Sequence, residues 1–386
     1  MKIKMFKMGF GESILLSEGE SCLLVDCGSE SKNKNGYFKS VENELVNYSS
    51  RSAIITHFHN DHINGFMEIL NSTEINFDRI YIPYIFTVAK HPNQVDFELI
   101  KYFLMRINFP NSRRLTLWEF LKKLVDKEKN IHLLERKSGA FSELGRSFDV
   151  LWPVPEKLIN KRLESALKKK LDFLSEYIND IYHLSDEISK LYENIQYSDN
   201  IRLVREQIPN IDIELQDLDS IIGEQISSEE INANFKNIVQ QCISSIRNNK
   251  NNSSIVCQNS GGEKVSLLTG DIPPNIMDKI LLNEYMPNIN IHKHYYAIKA
   301  PHHGTESGYS NFGCHCTFNY LLISNGETPN EKKRGQVTYQ YNPLVRNYKI
   351  LCTNTVKTRC EYCKKPPYAC RKSGDICGIT SSYIMI

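Results

Sequence analysis

The sequence predicts a mixed α/β fold whose strands end in polar, ligand-bearing turns, and three observations carry that expectation. The apolar run Ala53-Ile54-Ile55 leads directly into Thr56-His57-Phe58-His59-Asn60-Asp61-His62. Two later strand-like runs end in the same manner, in Thr269-Gly270-Asp271 and in Lys299-Ala300-Pro301-His302-His303-Gly304. Between such runs lie stretches with helical spacing, so strands and helices alternate along the chain.

At 386 residues the chain can bury a full core, as one domain with insertions or as two smaller domains. Hydrophobic residues make up 41% and charged residues 24%, an ordinary globular composition. Lys plus Arg number 47 against 45 Asp plus Glu, so any basic surface must be local. The N-terminal stretch Met1 to Lys7 alternates charged and apolar residues as a first strand does, and lacks the continuous apolar core of a signal peptide. No run of about 18 uncharged apolar residues occurs, so no membrane contact is expected. Eleven scattered cysteines then suit reduced thiols in a cytoplasm, with any cluster reserved for metal.

In order, strands are expected at Lys2 to Lys7, Ser13 to Leu16 and Ser21 to Asp26, punctuated by Gly9, Gly11 and Gly28. A short helix near Val41 to Tyr48 precedes the strand that delivers the histidine cluster. Another strand at 79–84, amphipathic helices near 95–107 and 116–127, and a strand over Phe148 to Pro153 follow. From about 156 to 247 the chain reads as charged helix. Leu167, Leu174, Ile181, Ile188 and Ile195 recur every seven residues, with Leu171 and Ile178 on the neighbouring seam. A return partner could start near 212, with Phe235, Val239, Cys242 and Ile246 on one face. Such a coiled-coil-like arm could make a homodimer, bind a partner protein, cover an active site, or pack on its own domain. Strands resume at Ser254 to Cys257, Val265 to Leu268 and Tyr296 to Ile298, and close with Asn319 to Ser324, Lys349 to Thr353 and Ile379 to Ile386.

The histidine cluster points to metal. In extended chain His57 and His59 aim the same way, while Asp61 and His62 sit where the chain turns toward a helix and can address a second position nearby. One segment can thus serve two adjacent metals; the bland alternative is a polar loop that happens to be rich in histidine. Thr-Gly-Asp triplets often form turns, and a His-His-Gly run is as often structural as functional. Together His57, His59, Asp61, His62, Asp271 and His303 nevertheless make six oxygen or nitrogen ligands at strand ends.

With these residues the chain resembles the metallo-β-lactamase superfamily, and within it the hydrolase domain of the bacterial competence protein ComEC. The matching stretches are Gly9 to Leu16, Leu23 to Gly28, the histidine cluster, Asn252 to Val256, Leu267 to Asp271, Lys299 to Thr305 and Leu322 to Gly326, in that order. The resemblance implies an αββα sandwich with a long helical insertion and a Cys-rich C-terminal insertion. Residues 1–155 would be its first half, 156–248 the insertion, and 249–386 the second half, with 356–377 as a possible zinc knuckle. It further implies that His57 and His59 hold a first divalent metal, that Asp61, His62 and His303 hold a second, and that Asp271 bridges them, with His302 entering the shell or handling protons.

The superfamily commonly supplies another first-site histidine where this chain has Trp152, so the first site is one ligand short. Water or a distant residue such as His132 could fill it, and one-metal operation is possible. Two cations about 3.5–4 Å apart would activate a shared water, oriented by Asp61 or Asp271, and stabilise charge on a phosphoryl group. Zinc suits the histidines and manganese the carboxylates.

Between Lys332 and Lys372 there are eleven Lys or Arg and a single acid, Glu361, interleaved with Tyr339, Tyr341, Tyr348, Tyr362 and Tyr368. Lys332, Lys333, Arg334, Arg346, Lys364, Lys365 and Arg371 could contact phosphates while tyrosines stack on bases, or the segment could be a solvated basic face. Cys360, Cys363, Cys370 and Cys377 offer the four thiolates of a structural zinc site, with buried unpaired thiols as the alternative and Cys314 or Cys316 as substitutes. The resulting expectation is a metal-dependent phosphodiesterase, a DNA nuclease using metal-activated hydroxide. The alternatives are a hydrolase of a small phosphodiester such as a cyclic nucleotide, or of a carbonyl compound, and a partner-binding protein with a degenerate site.

Overall fold

A hairpin opens the structure: β1 (Lys2–Phe6), β2 (Ile14–Glu18) and β3 (Ser21–Val25) pair antiparallel in succession. Glu18 faces Ser21 across a two-residue turn whose first member, Gly19, takes a φ of +55° that a side chain would resist. The computed structural model describes residues 1–31, 34–72, 74–85, 117–127, 129–154, 187, 190–192, 194–195, 201–227, 237–238, 240–242, 244, 250–284, 290–326, 348–353 and 383–386. The heptad residues other than Ile195, the four tail cysteines and the seven basic positions lie outside the described residues.

The chain divides into two compact units, one of Met1–Pro83, Leu134–Val154 and Asn251–Ile386, the other of Tyr84–Leu133 and Pro155–Lys250. In the first, β3 is followed by α1 (Lys34–Leu45), β4 (Ser50–Ile54), α2 (Asn60–Ile69) and β5 (Arg79–Pro83). β3, β4 and β5 are mutually parallel. With β6 (Ile131–Leu134) and the closing β14 (Tyr383–Met385) they complete a seven-stranded sheet of order β14-β1-β2-β3-β4-β5-β6. A second seven-stranded sheet has its strands side by side in chain order. It contains β7 (Ala140–Glu143), β8 (Arg146–Trp152), β9 (Val256–Ser260) and β10 (Ser266–Leu268), successively antiparallel. Then come α5 (Pro274–Leu281), β11 (His294–Lys299), β12 (Thr317–Ile323) and β13 (Lys349–Cys352), with β10 to β13 parallel.

The two sheets share one core. Ile3, Ile14, Leu23, Val25 and Ile54 of the first join Phe148, Val150, Cys257, Ala297, Leu322 and Leu351 of the second in one buried cluster. The intervening residues Cys22, Leu24 and Ala53 are also buried, so the first sheet is covered on its other face as well. α1, through Phe38, Val41 and Leu45, and α2, through Ile63, Phe66 and Ile69, bury the apolar stripes that such a cover requires.

Several boundaries depart from expectation. The helix before β4 is Lys34–Leu45 and not Val41 to Tyr48, and β9 begins at Val256 and not at Ser254. β7 has no counterpart among the expected strands, because its hairpin turn is Leu144-Gly145. Both residues have positive φ, and Leu144 is kept there by burial in the shared core.

In the second unit α3 (Leu117–Asp126) buries Trp118, Phe120, Leu121, Leu124 and Val125. It lies against α4 (Ile201–Ser227), which continues through Pro209 and buries Val204, Ile211 and Leu215 on one face. The Trp118 indole donates to Asp212 Oδ1 at 2.6 Å, and Lys122 meets the same carboxylate at 3.0 Å. Among the described residues no helix is long and apolar enough to cross a membrane.

Candidate metal centre

Parallel strands bring their C-terminal ends to one edge, and this is where the ligand-bearing turns meet. β3 runs into Asp26, β4 into residues 55–59 and the start of α2, β10 into Asp271, and β11 into a short 3-10 turn at Pro301–Gly304. The sheets are tied together at this edge, since Ile255 N–H donates to Thr56 O at 2.9 Å and Ser324 Oγ donates to Gly11 O at 2.7 Å.

Each of three histidines is held at Nδ1 and presents Nε2. His62 Nδ1 meets Asp26 Oδ2 at 2.7 Å. His303 Nδ1 donates to Ser324 O at 2.8 Å. His57 Nδ1 lies 3.1 Å from Thr56 Oγ1. That hydroxyl spends its single proton on Asp26 Oδ2 at 2.6 Å, so it accepts from His57. Asp26 therefore serves two imidazoles, one directly and one through Thr56, and its Oδ1 also accepts Thr56 N–H at 2.7 Å. Such outer hydrogen bonds orient metal ligands, and Asp26→Asn is expected to weaken metal affinity by roughly 10–100-fold, measured by chelator competition. Wild-type affinity in that variant would refute the role.

The free faces converge on carboxylates. His303 Nε2 is 3.1 Å from Asp61 Oδ2 and 3.5 Å from Asp271 Oδ2, and His62 Nε2 is 3.3 Å from the latter oxygen. Candidate ligand atoms of Glu12, His62, Asp271 and His303 all lie within 4.8 Å of one another, and all four residues are buried. The His57 and His62 rings are tilted by 52° with centroids 4.1 Å apart, and His57 Nε2 is 3.0 Å from His59 Nδ1. The six expected ligands are thus contiguous, and Glu12 joins them. His302 sits at the rim, its side chain 31% exposed, with Nε2 4.0 Å from Asp271 Oδ2 and Nδ1 2.9 Å from Ser307 Oγ.

The donor set fits a divalent cation. His62 Nε2 is fully buried and has only the 3.3 Å approach to Asp271 Oδ2, so a coordinated cation would satisfy it better. Burial opposes charging of His62 and His303, but the Asp271, Asp26 and Asp61 carboxylates around the first, and Asp271 and Asp61 around the second, outweigh it and raise both. Burial likewise opposes ionisation of Asp61, yet His62 and His303 hold its carboxyl below the usual range. Imidazole ligates in its neutral form, so metal binding at His62 and His303 would release protons. His57, pushed well down by burial and then by His62 and His59, stays neutral and ready to ligate.

His302 and His303 both adopt left-handed backbone, with φ of 48° and 57°, just before Gly304 at 69°. Strain of about 1–3 kcal/mol per such residue persists only where the surroundings enforce it, as at functional sites. Trp152 is fully buried, and its indole N–H donates to Asn252 O at 2.6 Å, so the position that resemblance gives to a histidine serves packing. His132 lies on β6, outside the grouped ligands.

Two seven-stranded mixed sheets share one core, and the histidine, aspartate and histidine turns lie in chain order at one strand edge. The fold is a two-sheet α/β sandwich, consistent with a metallo-β-lactamase fold. No known family profile and no curated protein matches the chain. Among solved structures, the metallo-β-lactamase fold protein YhfI from Bacillus subtilis is similar over 83% of this chain and 85% of its own, at 11% identity and a TM-score of 0.31. So slight a likeness adds nothing to the sheet order and ligand placement. A buried His/Asp/Glu group at the strand edge of such a sandwich fits a metal-dependent hydrolase.

In the sequence Glu12 is only part of a matching stretch and carries no role. Its carboxylate reaches the centre because Gly11 and Gly28 let two backbones touch: Glu12 N–H donates to Gly28 O at 3.1 Å and Asp61 O at 3.0 Å, and Gly28 N–H returns a bond to Glu12 O at 2.9 Å. A Cβ on Gly11 would collide with Gly28 O. The glycines permit a close backbone approach, but nothing local in the sequence says which side chain that approach brings to the centre.

Proposed function

We propose that this chain is a metal-dependent phosphodiesterase that cuts DNA. The observation that carries the reading is the buried convergence of Glu12, His62, Asp271 and His303 within 4.8 Å, with Asp61, His57 and His59 adjoining. Divalent cations, zinc or manganese, would be held by His57, His59, Asp61, His62, Asp271 and His303, and would supply Lewis acidity and a water acidic enough to ionise near neutral pH.

The protein's own groups do the remainder. Asp61 and Asp271 accept hydrogen bonds and orient the attacking water, and His302, its side chain partly exposed at the rim, is placed to exchange a proton with the leaving oxygen. Support for a polymeric substrate comes from the sequence: eleven Lys or Arg against one acid between Lys332 and Lys372, interleaved with tyrosines, suit phosphate contact and base stacking.

The test is a metal-titrated assay on single- and double-stranded DNA, RNA and cyclic nucleotides. DNA cleavage is expected with manganese or zinc, none after chelation, and a steep loss of DNA affinity with salt. Hydrolysis confined to cyclic nucleotides would replace DNA with a small phosphodiester as the substrate.

A further inference from the structure

We propose that Lys299 is a positioning residue of the metal centre, the side chain that decides which oxygen of Asp271 faces the imidazoles. The inference rests on the metal-centre reading above and deepens it.

Lys299 closes β11 and is 1% exposed. A lysine in that setting is costly unless each of its three N–H groups finds an acceptor. Three acceptors surround it. Nζ pairs with the Glu12 carboxylate, donates to Gly270 O at 2.8 Å and reaches Asp271 Oδ1 at 3.3 Å. Burial works against the ammonium, but Glu12 and Asp271 outweigh it and keep it charged.

The consequence falls on Asp271, whose two oxygens are sorted. Oδ1 is taken by Lys299, while Oδ2 faces His62 Nε2 at 3.3 Å, His303 Nε2 at 3.5 Å and His302 Nε2 at 4.0 Å. By gripping Gly270 O as well, the ammonium fixes the turn that carries Asp271, where Gly270 has a φ of +52°. A carboxylate held in this way offers one oxygen to the centre and cannot rotate to offer both. Glu12 in turn holds the lysine.

Charge alone predicts the opposite of positioning, which makes the inference testable. A cation beside a metal site repels metal, so removing Lys299 would tighten binding if it acted only as a charge. If it orients Asp271, removal weakens binding despite the lost repulsion. Lys299→Met by itself leaves Glu12 buried without a cation and can fail to fold. The comparison is therefore between Glu12→Gln and Glu12→Gln/Lys299→Met, neither of which strands that charge.

Each is titrated with cobalt(II) and followed by its visible absorption, a readout that needs no substrate. The double variant is expected to bind cobalt roughly 10–100-fold more weakly than Glu12→Gln, with a changed band shape as Asp271 gains freedom. Equal or tighter binding overturns the proposal. So does a double variant that fails to fold where Glu12→Gln folds, since Lys299 is then purely structural. Failure of the protein to cut any phosphodiester would sink the proposed substrate and leave this result untouched.

Discussion

Asp271→Ala should yield a protein that no longer turns over its substrate, with kcat/KM lower by at least about 10³-fold, equivalent to roughly 4 kcal/mol of transition-state stabilisation. The size of the effect follows from how many groups depend on this carboxylate. It faces His62, His303 and His302 through Oδ2 and Lys299 through Oδ1, and only 2% of its surface meets solvent. Alanine removes a ligand and also leaves buried cationic groups without their partner, a change that costs stability as well as activity. Asp271→Asn separates the two effects, because the amide keeps the shape and one acceptor oxygen for Lys299. We expect Asp271→Asn to lose less stability than Asp271→Ala, yet bind metal poorly and remain inactive. Circular dichroism, metal analysis and the DNA assay, run side by side, check this. An active, metal-replete Asp271→Asn would refute the ligand role of this carboxylate.

The second large effect is expected from a residue with no side chain. A Cβ built on Gly28 collides with the Asp61 carbonyl carbon and the His62 amide nitrogen. Both are backbone atoms in the first turn of α2, which cannot rotate aside as a side-chain tip would. Overpacking of this kind costs about 1–3 kcal/mol, and the backbone contact places Gly28→Ala at the upper end of that range. Any relief must come from moving Asp61 and His62, so metal affinity should fall together with the unfolding midpoint. The matched control is Gly36→Ala, where an added Cβ meets nothing within 4 Å. If Gly28→Ala unfolds and binds metal like that control, the close approach of these two backbones has no energetic weight.

How far the sequence anticipates this centre depends on what each residue does. His57 to His62 could be read because three imidazoles and a carboxylate packed behind one strand suit metal far better than they suit a solvated loop. Asp271 and His303 could be placed because both follow apolar runs, and parallel strands then carry them to one edge. Glu12, Lys299 and the orienting role of Asp26 were not legible. They act through contacts across 287 positions for Glu12 and Lys299, the difference of their residue numbers, and 36 for Asp26 and His62, and no local spacing encodes such pairings. The hairpin of β7 and β8 escapes the sequence for a related reason. Leu144 takes a left-handed conformation that its own propensity disfavours, and burial in a core assembled from distant strands overrides that propensity.

The bond between His303 Nε2 and Asp61 Oδ2 joins residues 242 positions apart. Contacts so remote in sequence form late, because the entropy of closing the loop must be met before they contribute anything. During synthesis the run from His57 to His62 leaves the ribosome well before Asp271, Lys299, His303 or Ser324 exists. The nascent chain can then display only the ligands of the first sheet, His57, His59, Asp61 and His62 with Glu12. Its grip on metal is then that of a few exposed side chains, and the enclosed centre arises only once both sheets have closed. Capture of metal is in this way deferred to the end of folding, and occupancy of the centre reports that the whole sandwich has assembled.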